Sequence, residues 1–357
     1  MREKFGAGTI LSLKERAGSI CSFPSCGAST SGPSLESSTK TASTGIAAHI
    51  CAASQGKGAR RRLDISRFDK KLLSDYSNGI WMCARHAKLI DTDENRFTVP
   101  MLRRWRELAE LRAMLEQELT GKSVKLHLRD GNEIPLAEVD LSLNRFEESA
   151  RDNMCASVLD SCIVDVWGKD IGLAVRDLVA ELMDNAFNHG KASQFKLNIH
   201  LNQIVIKSDD SPYSFGDLLD DINCRGGQRA ATSLLKFNDR LITSYRREGV
   251  FNVLEIAFIT SSEQVLRSTV CSIDYGHFKM ALEDEEPLPV LYSNCETIYV
   301  VMGPHRHLIP SVAMRLKPRL IKLADANKRI VLIGSAISED VVILLKKDFP
   351  SMQVIQL

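Results

Sequence analysis

Apolar and polar positions recur with two different periods along this 357-residue chain. Leu102, Trp105, Leu108 and Leu111 fall at helical spacing, which predicts a helix that starts after Pro100, runs toward Leu119 and stops near Gly121. A second set begins near residue 141, with one helix expected over 144–165 and another over 170–188. Strict alternation then marks strands at 194–201 and 203–208, parted by a turn at Leu201–Asn202. Two more strands are expected at 241–247 and 250–259 around a turn at Arg247–Glu248–Gly249, after a loop and helix over 226–240. The final stretch alternates strand 297–302, helix 310–325, strand 329–334, helix 338–347 and strand 352–356, a βαβαβ pattern that predicts a small, mostly parallel sheet. Residues 27–45, rich in Ser, Thr and Gly, and the basic run 54–62 read as loops, and 122–140 as a connection with a short strand at 124–128. The expected class is α+β and multidomain, divided as 1–121, 122–286 and 287–357.

Composition adds limits to this picture. Hydrophobic residues at 44% and charged residues at 25% describe a globular chain, not a disordered one. No apolar run approaches the roughly 18–20 residues of a membrane span, so no membrane partner is expected. The start of the chain carries charge in place of an apolar leader, and the nine cysteines are scattered; both point to reduced thiols in a cytoplasm. The net charge of +1 conceals an asymmetry. Residues 1–129 hold 22 Lys/Arg against 13 Asp/Glu, and the remainder holds 24 against 32. The first third is therefore the part suited to a polyanion such as DNA.

Within that basic third, Cys21 and Cys26 form a C-x4-C pair, and Cys83 and His86 a C-x2-H pair 57 residues later. Such spacing lets both members of a pair point at one ion, and two pairs suit a tetrahedral structural Zn2+. In register with them stand Ala47-Ala48-His49-Ile50 and Asn78-Gly79-Ile80-Trp81-Met82-Cys83, the latter running on through His86 to Asp91. Residues 15–110 resemble the HNH endonucleases, whose ββα-metal fold is a hairpin and a helix around one catalytic metal. The resemblance implies that His49 is the general base that activates water. It implies that Asn78 either steadies His49 or helps to hold the metal. The pattern departs at two places: Ala48 stands where many members carry an acid or His, and Ala87 where the helix usually offers His. Asp91, four residues beyond Ala87 on the same helical face, can supply a hard oxygen to Mg2+ or Mn2+. Trp81 reads as core. Arg60, Arg61 and Arg62, with Lys70, Lys71, Arg103 and Arg104, are candidates for phosphate contact.

A different chemistry is written in the helix over 170–188. Glu181, Asn185 and His189 recur every four residues, beside an apolar face of Leu178, Leu182 and Ala186. A carboxylate, an amide and an imidazole in one stripe suit a site that holds Mg2+ and orients water on a phosphate. The segment Glu181-Leu182-Met183-Asp184-Asn185-Ala186-Phe187-Asn188-His189-Gly190 resembles the N-box of the GHKL ATPases, at their histidine-kinase and anti-sigma-factor end. That resemblance covers about 145–260 and implies an α/β sandwich in which Asn185 holds the Mg2+ of ATP and Glu181 is the candidate base. It makes Asp209, at the end of Ile204–Ser208, the match for the adenine-reading Asp, although Ser211 replaces the family's Gly. It makes Gly226 and Gly227 the lid that approaches the phosphates.

Together these readings lead to an expected function: a metal-dependent DNA endonuclease governed by an ATP-binding module. By its architecture the chain resembles prokaryotic antiviral effectors, which implies a homodimer and a defence-system partner protein. The alternative is a non-catalytic regulator, with a zinc-held DNA-binding head, a structural His49 and a nucleotide-sensing body.

Overall fold

The computed structural model describes residues 3–357 apart from 55, 57, 64–68, 119–133, 148, 214, 217–225, 281–287 and 304–306. The short strand expected at 124–128 lies outside the described residues. The chain forms two compact units, Met1–Arg129 with Ile134–Val139 and Ala156–Gly172, and Asp130–Glu133 with Asp140–Cys155 and Leu173–Leu357. Mixed helices and sheets make the class α+β and multidomain. Among the described residues no helix is long and apolar enough to cross a membrane.

The first unit opens with α1 (Ala7–Arg16), then strands β1 (Ser31–Pro33) and β2 (Thr41–Ser43). These two pair antiparallel inside the stretch that composition marks as loop. Strands β3 (Gly45–His49) and β4 (Gly79–Cys83) pair antiparallel, with Ala47 opposite Trp81 and His49 opposite Gly79. Helix α2 (Ala84–Leu89) follows β4 directly, and α3 (Val99–Glu118) closes the unit. Of the four periodic positions of α3, Leu102, Trp105 and Leu108 are buried and Leu111 is half-buried. Trp81 is core, with its Nε1 donating to Thr30 Oγ1 at 2.8 Å.

The chain then passes through β5 (Val139–Leu143), α4 (Ala150–Asp160), α5 (Ile163–Trp167) and α6 (Lys169–Asn188). One helix was expected over 144–165, but it breaks after Asp160, where Cys162 takes a left-handed φ of +67°. The break is held by tertiary bonds: Arg96 grips the Asp160 carboxylate at 2.6 and 3.1 Å, and Trp105 Nε1 donates to the Asp160 carbonyl at 2.7 Å. These contacts place residues 156–172 in the first unit.

The second unit is built on β6 (Phe195–His200), β7 (Gln203–Ser208), α7 (Gly226–Leu234), β8 (Leu241–Glu248) and β9 (Phe251–Phe258). Its five-stranded sheet has the order β5-β6-β7-β9-β8, with antiparallel pairs throughout β6–β9. After α8 (Ser262–Ser268) come β10 (Ser272–Asp274), α9 (Tyr275–Met280), α10 (Leu288–Leu291), β11 (Thr297–Val301), α11 (Pro310–Asp325), β12 (Arg329–Gly334), α12 (Glu339–Asp348) and β13 (Gln353–Gln356). Strands β10-β11-β12-β13 form a parallel sheet, so it gains a strand ahead of the expected βαβαβ. The two sheets share a core in which Ile242, Ala257 and Ile259 meet Tyr299, Val331 and Ile333. The parallel register also brings Cys271 beside Cys295, with Cα atoms 5.7 Å apart and the sulfurs bonded. The expectation of nine reduced thiols is corrected at this pair.

Candidate functional site

The Cys21–Cys26 turn is tight because Ser25 and Gly27 both take left-handed φ values, +59° each. Cys26 N–H donates to the Phe23 carbonyl at 3.1 Å and Cys21 N–H to Ala28 at 3.0 Å, which turns both thiols inward. Cys83 ends β4, and His86 lies in the helix that follows at once. The four ligand atoms of Cys21, Cys26, Cys83 and His86 lie within 4.8 Å of one another. His86 Nδ1 is 3.5 Å from Cys21 Sγ and 3.4 Å from Cys83 Sγ. A tetrahedral Zn2+ with ordinary Zn–S and Zn–N bonds requires S···N edges of about 3.5 Å. The cluster can therefore hold a metal such as zinc, and it fills all four positions, as a structural site does.

The surroundings prepare these ligands. Burial pushes the Cys21 thiol up to about 12, so metal capture there releases a proton. At Cys83 burial acts upward too, but the His86 and Arg85 amides and the neighbouring thiols outweigh it, and the net shift is downward. Burial, then Arg85, hold the His86 imidazole below its ordinary range, which keeps it neutral and able to ligate. Phe23 stacks on that ring at 3.9 Å and meets Trp105 edge-on at 4.9 Å, fixing the ring plane. The Ser25 amide of the turn donates to the Asp165 carboxylate at 3.0 and 3.1 Å.

In the same unit, His49 and Asp91 line one cleft of about 490 Å3, with Arg60 and Lys88 also in its wall. Phe5 stacks on the His49 ring at 4.0 Å with planes 15° apart. Ala48 and Ala87 line the cleft as well, so the two departures noted in the sequence fall where ligands would otherwise stand. Asn78 sits beneath the cleft and not in its wall. Its Oδ1 accepts from Cys51 N–H at 2.7 Å, and its Nδ2 donates to the Cys51 and Leu73 carbonyls at 3.0 Å each. Its amide is thus committed to backbone, which corrects the expectation of a metal ligand and leaves it to brace the chain just after His49. Of the seven basic residues expected to meet phosphate, Lys70 pairs with Glu3 at 3.0 Å, and two more are committed elsewhere. Arg61 is buried against backbone carbonyls, and Arg104 donates to the Pro135 carbonyl at 2.6 and 2.9 Å.

In the second unit, Glu181 and Asn185 lie half-buried on α6 and His189 is exposed just past its end, while Leu178, Leu182 and Ala186 are buried. Arg151 on α4 pairs with Glu181 at 2.8 Å and with Asp184. Sequence reasoning had no signal for that ion pair, which crosses between helices. Gly226 and Gly227 begin α7, and a Cβ on Gly227 would stand 2.6 Å from Asn185 Nδ2. A side chain at 227 would make the Asn185 amide swing aside.

Asp209 requires a correction. Its carboxylate accepts from the Ser193 and Gln194 amides at 2.8 Å each and from the Ser193 hydroxyl, so it closes the turn before β6. The buried carboxylate is Asp210, which accepts from Ser208 Oγ and from Asn252 Nδ2 at 2.6 Å each. A Cβ on Gly190 would stand 2.5 Å from Asp210 Cβ, so the end of α6 closes on Asp210 and not on Asp209. Alternation along β7 explains this, since residues 208 and 210 share the inner side and 209 the outer.

No family model matches the chain, and no curated protein matches it. Geometry and chemistry carry the functional reading.

Proposed function

We propose that this protein is a metal-dependent DNA endonuclease of the HNH type, governed by a GHKL-type ATP-binding module. The observation that carries the reading is the shared cleft, where an imidazole and a carboxylate from separate segments face a basic wall beside the Cys3His cluster. His49 takes the proton from the attacking water, with its ring plane set by Phe5. Arg60 and Lys88 draw the phosphate into the cleft. Asp91 offers the hard oxygen that suits Mg2+ or Mn2+, and the alanines leave the other positions to water and phosphate. A divalent ion there would supply charge stabilisation for the departing oxygen.

In the second unit, Asn185 beside Gly227 would hold the Mg2+ of ATP, and Glu181, now paired with Arg151, would orient water once released. Nucleotide binding changes the nuclease rate in this reading, in a homodimer. Fusion of the two activities suits antiviral defence with a partner protein, an analogy of architecture. The two alanines in the cleft favour a second reading, a zinc-held DNA-binding regulator that cuts nothing.

Supercoiled plasmid incubated with Mg2+ or Mn2+, with and without ATP, separates the two. Nicking that needs the divalent ion and shifts several-fold with ATP is expected. The Asn185→Ala protein should still nick but no longer respond to ATP, and calorimetry should show its ATP binding lost. Plasmid left intact under every condition removes the nuclease reading, and a wild type that binds no ATP removes the gating.

A further inference from the structure

Arg61 comes from the basic run, yet only 3% of its side chain is exposed. Its Nε donates to the Ile50 carbonyl at 2.7 Å and its Nη1 to the carbonyls of Ile90 and, at 3.5 Å, Phe97. Its Nη2 reaches Asp91 Oδ1 at 2.8 Å. The backbone is held as firmly: Arg61 N–H donates to the Glu94 carboxylate at 2.7 Å, and its carbonyl accepts from Ala52 at 3.2 Å. Its φ of +50° lies in the left-handed region, which residues with a Cβ rarely adopt. Burying a guanidinium on a strained backbone is costly, so the surrounding structure must overdetermine it.

The bonds fall at particular places. Ile50 follows His49 directly, and Ile90 precedes Asp91 directly. One rigid, planar fork therefore ties the segment carrying the proposed base to the segment carrying the proposed cation ligand, and grips that ligand's carboxylate. Asp91 keeps 65% of its side chain exposed, so one oxygen is oriented from below while the group remains open to the cleft. A lysine ammonium, a point charge on a flexible stem, cannot span the same carbonyls and carboxylate together.

We propose that Arg61 is a positioning residue of the nuclease centre. It fixes the spacing of His49 and Asp91 and aims the Asp91 carboxylate at the divalent ion. The proposal rests on the nuclease reading of the cleft.

Mn2+ is the probe, followed by electron paramagnetic resonance of the free ion and by plasmid nicking, with zinc content measured alongside. Arg61→Met and Asp91→Asn should each raise the half-saturating Mn2+ concentration roughly 10–100-fold, the range for groups that orient a metal ligand. Because Arg61 acts through Asp91, the double variant should need no more Mn2+ than Asp91→Asn alone. Arg61→Lys should keep its zinc and resemble Arg61→Met, and it carries the comparison if Arg61→Met loses zinc. An Arg61→Lys or Arg61→Met protein with the wild-type Mn2+ requirement overturns the proposal, as do losses that multiply in the double variant. In either case nicking by the wild type leaves the nuclease reading standing. A wild type that neither binds Mn2+ nor nicks removes both.

Discussion

Replacing Cys83 by serine should cost the protein its structural metal, about one zinc per chain, and with it the fold of the first unit. The substitution keeps the shape of the side chain but exchanges a thiolate for a hydroxyl that does not ionise near neutral pH, so the fourth bond is lost. Structural zinc contributes an apparent binding free energy of about 10–16 kcal/mol in small zinc domains. A whole domain is stable by only roughly 5–15 kcal/mol, so a metal bound there would account for most of that margin. Metal analysis by mass spectrometry, with tryptophan fluorescence for Trp81 and Trp105, reads both effects. A Cys83→Ser protein that keeps its zinc and the wild-type melting temperature contradicts the cluster as a metal site.

The second large effect is expected at His49. Removing a general base slows proton transfer by roughly 10^2–10^4-fold, so His49→Ala should reduce plasmid nicking by that order. Folding should be spared, because the side chain is only partly buried and β3 is held by its register with β4. Zinc content and melting temperature therefore serve as controls. Phe5→Ala, which removes the stacked ring but keeps the imidazole, should give a smaller loss in the same direction. Full nicking by His49→Ala with its zinc in place would show that the imidazole is not the base.

Much of this was legible in the sequence because the signals are local. Ligands three and five residues apart announce turns that face one ion. Amphipathic spacing announced α3 and α6, and alternation announced β6 to β9, within a residue or two of the observed ends. What escaped depends on contacts between distant segments. In a run of three arginines nothing distinguishes Arg61, whose burial is decided by the carbonyls of Ile50 and Ile90. Asp209 and Asp210 differ by one position, and a one-residue step at a strand end moves a side chain to the opposite face. The break after Asp160 has no Gly or Pro at the point where it occurs, and Arg96 and Trp105 impose it from 64 and 55 residues away. The Cys271–Cys295 bond follows from a parallel register that spacing alone does not reveal.

The core shared by the two sheets of the second unit has a consequence for how this chain can be divided. Strand β9 is buried from Asn252 to Phe258, on side chains of both parities, so it is an interior layer and not a face. A fragment ending near 286, where the change of pattern suggests a boundary, would leave Ile242, Ala257 and Ile259 open to water on a β surface. Such a surface is a template for self-association. The antiparallel sheet and the C-terminal parallel sheet therefore have to be expressed together, as one folding unit.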